Sequence, residues 1–383
     1  MTLAMRSLAI LFLGACIVAC SSNEEKEALK PLPLVEFEQA VELKRLWTSD
    51  AAGRQDKKRY TTFVPAVDDD RIYYAGGDGR VVALVRDTGK VIWKSDVDIS
   101  IAGAVSVSRG QVFVGGYDGE VIALDAESGE ELWRAEAPSE VLAPPQSNGS
   151  EVVATSIDGA LTAFNAETGQ QLWTYGHLSP VLSLRGLAAP LVTPTQVVAA
   201  FDNGQVLGFD VGDGSTSWEV RAAQPTGRHD LERIVDIEGQ PIQRGGFIYV
   251  ASYQGAIVAL TRAQGRIVWK QDVSTYQPLA YGNNKVYAVS EDGRLIAYSG
   301  TNGAVEWENR QMLRRGVGAP AVIQNYVAVI DQEGYLHLMN QDNGEFVGRI
   351  EAKGKKFRSS MLSYDDTLYV LSDEGKLSAY GIK

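Results

Sequence analysis

The chain has 383 residues, a formal net charge of −12 and two cysteines. An acidic balance of that size disfavours a nucleic-acid role, which needs a concentrated basic surface against phosphate. Length alone would allow two or more domains, but one repeat covers nearly all of the chain and points to a single large β domain.

From the start, residues 1–19 hold one basic residue, Arg6, followed by an apolar stretch from Leu8. That is signal-peptide length and short for a membrane span. Ile17-Val18-Ala19-Cys20 resembles the lipobox of bacterial lipoproteins, in which a cysteine becomes the first mature residue and carries the lipid. Leu13-Gly14-Ala15-Cys16 fits the same pattern. Cys20 is the expected lipidation site, since it leaves a fuller apolar core before the cut and the polar Ser21-Ser22-Asn23-Glu24-Glu25 after it. Because Ser21 rather than aspartate follows the cysteine, the lipoprotein resemblance implies anchorage in the outer membrane. Residues 20–36, stiffened by Pro31 and Pro33, read as a tether. A mature domain over residues 37–383 would contain no cysteine and must be stabilised by packing.

Residues 41–47 look like the Trp-bearing outer strand of a repeat that no motif precedes. The short basic run Arg54 to Arg59 (RQDKKR) reads as a solvated loop, and Asp68-Asp69-Asp70 as a turn before the strand starting at Arg71 rather than a calcium site. The repeat then begins. Its clearest copy is residues 117–133, YDGEVIALDAESGEELW, two strands joined by a glycine turn. The glycine that opens the motif recurs at Gly79, Gly119, Gly159, Gly204, Gly255, Gly293, Gly334 and Gly375. Each glycine of the motif is expected where a tight reversal needs positive φ or a residue without Cβ. A tryptophan ends the first six copies, at Trp93, Trp133, Trp173, Trp218, Trp269 and Trp307, and Gly348 stands there in the seventh.

Successive opening glycines lie 40, 40, 45, 51, 38, 41 and 41 residues apart, the length of a four-stranded propeller blade. The predicted fold is all-β, an eight-bladed β-propeller of four-stranded antiparallel blades. For blade 2 the four strands are placed at residues 104–107, 111–115, 121–124 and 131–133, and the tryptophans between neighbouring blades. The chain stops after residues 375–380, a third strand with no fourth. The N-terminal strand ending at Trp47 is therefore expected to complete the last blade and close the ring.

Two stretches break the period. They are residues 177–190 (HLSPVLSLRGLAAP) and 222–241, both leading from an outer strand to the next inner strand. Such connections share one face of the ring, and these two flank the same repeat, so they form a candidate binding surface. Leu182 and Leu184 offer apolar contact and Arg185 a fork of donors, while Asp236 and Glu238, two residues apart in an extended segment, can point the same way. This composition suits a protein partner. In the alternative reading the leucines plug the gap between blades and Arg185 pairs internally with Asp236 or Glu238.

The lipobox, the repeat ending in x-G-x-x-x-W, the terminal Tyr380-Gly381 and above all Pro180-Val181-Leu182-Ser183-Leu184-Arg185-Gly186 resemble the family of lipoprotein B subunits of the bacterial outer-membrane β-barrel assembly machine. The resemblance spans the whole chain. It implies a non-enzymatic, lipid-anchored scaffold facing the periplasm. Such a scaffold binds the polypeptide-transport-associated (POTRA) domains of the barrel-forming subunit and assists folding and insertion of outer-membrane β-barrel proteins, with unfolded precursors as a further partner. The family's contact residues fall on Leu182, Leu184 and Arg185, then Asp236 and Glu238, the last an acid one methylene longer than the expected Asp. A rival from another class is a PQQ-type quinoprotein dehydrogenase. It would need a cofactor chamber on the axis and commonly a pair of adjacent cysteines, which this chain lacks. His177, His229 and His337 are too scattered for a zinc motif, and no cofactor or metal is expected. A generic periplasmic peptide-binding propeller is the third reading.

Overall fold

A computed structural model describes residues 30–53, 63–177, 179–180, 182–184 and 186–383. Eight antiparallel sheets of four strands stand around a common axis, numbered here as blades in chain order. Blade 1 consists of Ala66–Asp68, Arg71–Ala75, Arg80–Val85 and Val91–Asp96, running from the axis outward. Blades 2 to 7 repeat this plan, beginning at Ser106, Gln146, Leu191, Ile242, Ala280 and Ala321. Blade 8 takes Leu362–Tyr364, Thr367–Leu371 and Leu377–Ile382 from the C-terminus and Leu43–Ser49 from the N-terminus, in the order expected for closure. In blade 2 the inner strand is Ser106–Ser108, two residues later than the sequence placed it, and the second is Gln111–Gly115 as placed.

The second and third strands are buried on both faces because a neighbouring blade covers each side. Ile72, Tyr73, Tyr74, Val81, Val82, Ala83 and Leu84 of blade 1 are all sequestered. Outer strands behave differently. In blade 2, Leu132 is 47% exposed while Trp133 is buried, so the rim strand keeps one inward residue and exposes most of the others. A bulge accompanies each of these tryptophans. Ala123 pairs with Trp133 while Leu124 pairs with Glu131, and the same shift recurs at Trp93, Trp173, Trp218, Trp269 and Trp307. The residue opposite the indole is alanine, or Gly208 in blade 4, which leaves room for the ring.

Each indole reaches into the next blade. Trp93 Nε1 donates to the Ala126 carbonyl at 3.0 Å, Trp133 to Ala166 at 2.7 Å and Trp307 to Gln341 at 2.8 Å. The ring lies on the glycine of that blade's outer turn: a Cβ on Gly129 would fall 2.6 Å from Trp93, and one on Gly169 2.7 Å from Trp133. These glycines therefore meet two demands, positive φ and space for an indole. Trp47 makes the same contacts across the seam, donating to the Arg86 carbonyl at 2.8 Å and lying on Gly89, with the same bulge in its pairing to the last strand.

Closure also explains why the seventh copy lacks its tryptophan. An indole there would rest on the outer turn of blade 8, and blade 8 has no such turn, since its third and fourth strands come from opposite ends of the chain. Gly348 occupies the position, paired with Leu338, and a Cβ on it would fall 2.7 Å from the Val41 carbonyl oxygen. Ala40 and Val41 both donate their amides to the Val347 carbonyl at 2.9 Å, so the incoming N-terminal segment takes the space an indole fills elsewhere.

Upstream of the closing strand, residues 30–41 run along blade 7. Arg349 donates to the Val35 carbonyl at 2.9 Å and lies over the Phe37 ring, which stacks on Phe346. Arg315 donates to the Leu32 carbonyl at 2.8 Å, and Arg314 to that of Lys30 at 2.7 Å. Arg315 is itself held by Asp331, buried with it at 2.7 Å, and the same carboxylate meets His337 Nε2 at 3.0 Å. Together these contacts fasten the start of the described chain to the connection between blades 6 and 7. The expected lipidation residue Cys20, the signal segment and the basic run Arg54 to Arg59 lie outside the described residues.

Candidate functional site

In a four-stranded antiparallel blade, the connection leaving the outer strand and the turn between the second and third strands emerge on the same face. The hydrogen bonds bear this out: Ala137 of one such connection donates to the Gly119 carbonyl of one such turn at 2.8 Å, and Ala222 to Gly204 at 2.9 Å. The long connections 176–190, after blade 3, and 222–241, after blade 4, therefore lie side by side on this face. They meet directly. The Leu184 amide donates to the Asp236 carboxylate at 2.5 Å, Gln240 donates through its side chain to the Pro190 carbonyl at 3.2 Å, and a Cβ on Gly186 would fall 2.2 Å from Cδ of Glu238. Gly186 is thus the position where the acid's side chain crosses the loop.

Sequence reasoning placed five residues here, and the structure separates them into two groups. Leu182 is 45% and Leu184 39% exposed, so neither plugs the gap between blades. Asp236 is fully buried and Glu238 half-buried, both turned toward the loop of residues 182–186 rather than outward. The core beneath is made by Ala188, Ala222 and Ile237 with strand residues of blades 4 and 5, which is why the acids alternate with a buried isoleucine. Arg185 and Val181 lie outside the described residues, so the internal pairing of Arg185 raised above has no geometry here.

Burial dominates the electrostatics. The Asp236 carboxyl is pushed up to about 7, chiefly by loss of water, with the Leu184 amide opposing, and one of its oxygens has no hydrogen-bond partner among the described residues. Glu238 is likewise pushed up to about 7, by burial first and then by the charge of Asp236. Asp202, in the neighbouring turn of blade 4, is raised by burial, and His177, with its ring 4.3 Å from that of Phe201, is lowered by burial. An inward set of acids with one backbone donor fastens a loop. It does not gather a metal: among the described residues no three His, Cys, Asp or Glu side chains come together for one, and Asp68-Asp69-Asp70 lies at a hairpin turn where Asp69 has φ 40°.

Sequence reasoning overlooked Leu231. It sits on the short 3-10 helix Asp230–Arg233 in the second connection and is 69% exposed, a further apolar side chain offered by the connections of this face. The signal was present, an isolated leucine inside the charged run Arg228-His229-Asp230-Leu231-Glu232-Arg233.

With this geometry in place, comparison with known proteins becomes informative. The family profile described as outer membrane protein assembly factor BamB matches residues 41–114 and 77–309. The protein of that name from Pseudomonas aeruginosa is 47% identical over 375 residues, 98% of each chain, and that from Escherichia coli K12 is 31% identical over 378 residues, 96% of this chain and 95% of the other. The crystal structure of BamB from Moraxella catarrhalis superposes with a TM-score of 0.81 at 25% identity, covering 88% of this chain and 99% of that one. A quinohemoprotein alcohol dehydrogenase from Pseudomonas putida shares the fold, with a TM-score of 0.69 at 14% identity over 92% of this chain and 78% of its own. The chain belongs to the family of outer membrane protein assembly factor BamB.

Proposed function

We propose that the protein is a non-enzymatic scaffold lipoprotein of the outer-membrane β-barrel assembly machine, anchored through Cys20 and facing the periplasm. In this reading its long connections bind the POTRA domains of the barrel-forming subunit. The observation that carries it is the pair of exposed leucines, Leu182 and Leu184, on a loop whose backbone is fastened by the Asp236 carboxylate. An apolar pair held in place before binding loses little conformational freedom when covered, which favours a protein partner over a small ligand. Arg185 supplies donors beside them. Asp236 and Glu238, carried over by resemblance as contacts, act in this reading from beneath, setting the loop that touches the partner. The names of the relatives support the assembly role.

Pull-down with the purified periplasmic domains of the barrel-forming subunit tests this. Leu184→Asp and Arg185→Glu should each lower affinity several-fold or more while leaving Tm unchanged; Leu184 is exposed and lies outside the core. Binding by both variants at the unaltered level would overturn the assignment. Asp236→Ala should weaken binding as well, with a measurable loss of stability that the loop-surface variants do not show.

A further inference from the structure

Among the described residues of the face that carries Leu182 and Leu184, one sector concentrates basic side chains. The connection after blade 7, residues 352–361, carries Lys353, Lys355, Lys356 and Arg358 in ten positions. The three lysines are exposed, and none has an ion pair with a described residue. Most acids around them are already engaged: Asp331 and Glu333 bind Arg315, Asp373 binds Arg358 at 2.7 Å, and Glu374 pairs with Lys376 at 3.4 Å, which leaves the exposed Glu351. The three lysines outweigh that one acid and project net positive charge from a chain whose net charge is −12.

Beside them is a cavity of about 370 Å³ whose polar lining is Tyr276, Gln277, Gln332, Lys356 and Arg358, with no carboxylate. Its wall continues through Gly316 to Arg315 and Arg314, the two residues that hold the carbonyls of Leu32 and Lys30. The described chain thus begins at the edge of this basic sector. Lys30 is ten residues after Cys20, a span of roughly 35 Å at full extension. A lipid on Cys20 keeps Lys30, at the edge of this sector, within that distance of the bilayer, and blade 4, between the two long connections, stands three blades away round the ring.

We propose that Lys353, Lys355 and Lys356, with the donor-lined cavity beside them, form a docking surface for anionic phospholipid headgroups, so that the propeller rests with this sector on the membrane and leaves the leucine-bearing sector free. The inference rests on the lipid anchor of the proposed function. Charge complementarity and the exit point of the tether favour a membrane surface over an acidic protein segment. Each lysine near an anionic surface is worth roughly a five-fold shift, so three together bias docked over undocked orientations on the order of 100-fold.

The test uses the acylated full chain reconstituted in vesicles, since no cysteine but Cys20 follows the expected cut. A fluorophore is placed on Ser360→Cys, next to the lysines, or on Asn343→Cys, in the outer turn of blade 7 on the opposite face. Lipid-borne quencher is present in vesicles of phosphatidylethanolamine with phosphatidylglycerol, or of phosphatidylcholine alone. Flotation reports the anchor independently: a chain that does not float defeats the anchor reading itself. In floating samples the label at 360 should be quenched in anionic vesicles and the label at 343 should not. Lys353→Glu, Lys355→Glu and Lys356→Glu combined, or raised salt, should abolish the difference without affecting flotation. Equal quenching at both positions, or quenching at 360 indifferent to headgroup charge and to the triple substitution, would overturn the proposal. An acidic protein as the true occupant would leave position 360 unquenched in these protein-free vesicles, which overturns it equally.

Discussion

Gly129→Ala offers a sharp test of how the blades are joined, because the fold contains its own control. Gly129 has φ 77° and Gly110 φ 76°, so an alanine at either incurs the same left-handed backbone strain, about 1 kcal/mol. Their surroundings differ. A Cβ on Gly110 meets nothing within 4 Å, whereas one on Gly129 falls 2.6 Å from the Trp93 ring, whose nitrogen is bonded to Ala126 and cannot slide away without losing that bond. Overpacking of this kind adds roughly 1–3 kcal/mol. Gly110→Ala should therefore cost about 1 kcal/mol and Gly129→Ala about 2–4 kcal/mol in equilibrium denaturation. In a domain of this size that corresponds to Tm losses of roughly 1–2 °C and 3–6 °C. Repeating Gly129→Ala in a Trp93→Ala background closes a double-mutant cycle, and there the excess should vanish. Equal penalties at the two glycines, or an excess at Gly129 that survives loss of the indole, would refute the claim that Trp-on-glycine contacts lock one blade to the next.

The other expectations are more briefly stated. Asp236 has a folded pKa near 7, well above that of an unfolded aspartate, so the folded state binds the extra proton and stability from this site falls as pH rises from about 4 through 7. Asp236→Asn, which keeps an acceptor for the Leu184 amide, should flatten that slope and be neutral or stabilising at pH 8; a loss of stability at pH 8 comparable to that of Asp236→Ala would show the charge is compensated. Gly348→Ala should destabilise by roughly 1–3 kcal/mol by displacing residues 40–41, measurable by denaturation and by faster amide exchange in residues 43–49. Removing residues 41–47 should collapse thermal stability by opening blade 8; an unchanged Tm would contradict closure by the N-terminal strand.

The blade number, strand order and seam were legible because a repeat multiplies weak local signals: eight glycine turns at blade spacing leave few other folds. The reason for the outer-turn glycines was only half legible. Positive φ is a local property that sequence can suggest, whereas the indole lying on Gly129 comes from a residue 36 positions earlier in another blade. At the site, the sequence left open whether Leu182 and Leu184 are exposed or plug the gap between blades, and only their placement in the fold decides for exposure. The inward turn of Asp236 and Glu238 did not. Alternation fixes that two side chains share a side but not which side, and here Ile237 faces the core while the acids reach the adjoining loop, a contact between segments some 50 residues apart.

The same contacts explain why variation in length is confined to one class of connection. The outer turns cannot lengthen freely, because their glycines support the preceding blade's tryptophan. Turns between the second and third strands are held from the other side: a Cβ on Gly79, Gly119 or Gly204 would fall 2.5–2.6 Å from the carbonyl oxygen of Ile99, Ala137 or Ala223. At inner hairpins a Cβ on Gly110 would meet nothing, while Gly149 lies against the Arg109 side chain of the preceding hairpin; their two-residue form is tied to strand twist, and extra residues would change the pairing register at the axis. Only the connections between blades remain, and of these the first residues are pinned, as when Val97 donates to Gly79 and Ala352 to Gly334. Insertions therefore accumulate past those anchor points, on one face of the ring. The connections after blades 3 and 4 are adjacent and prop each other through Asp236 and Glu238, which lets a loop too long to be held by its own blade present Leu182 and Leu184 in a fixed position.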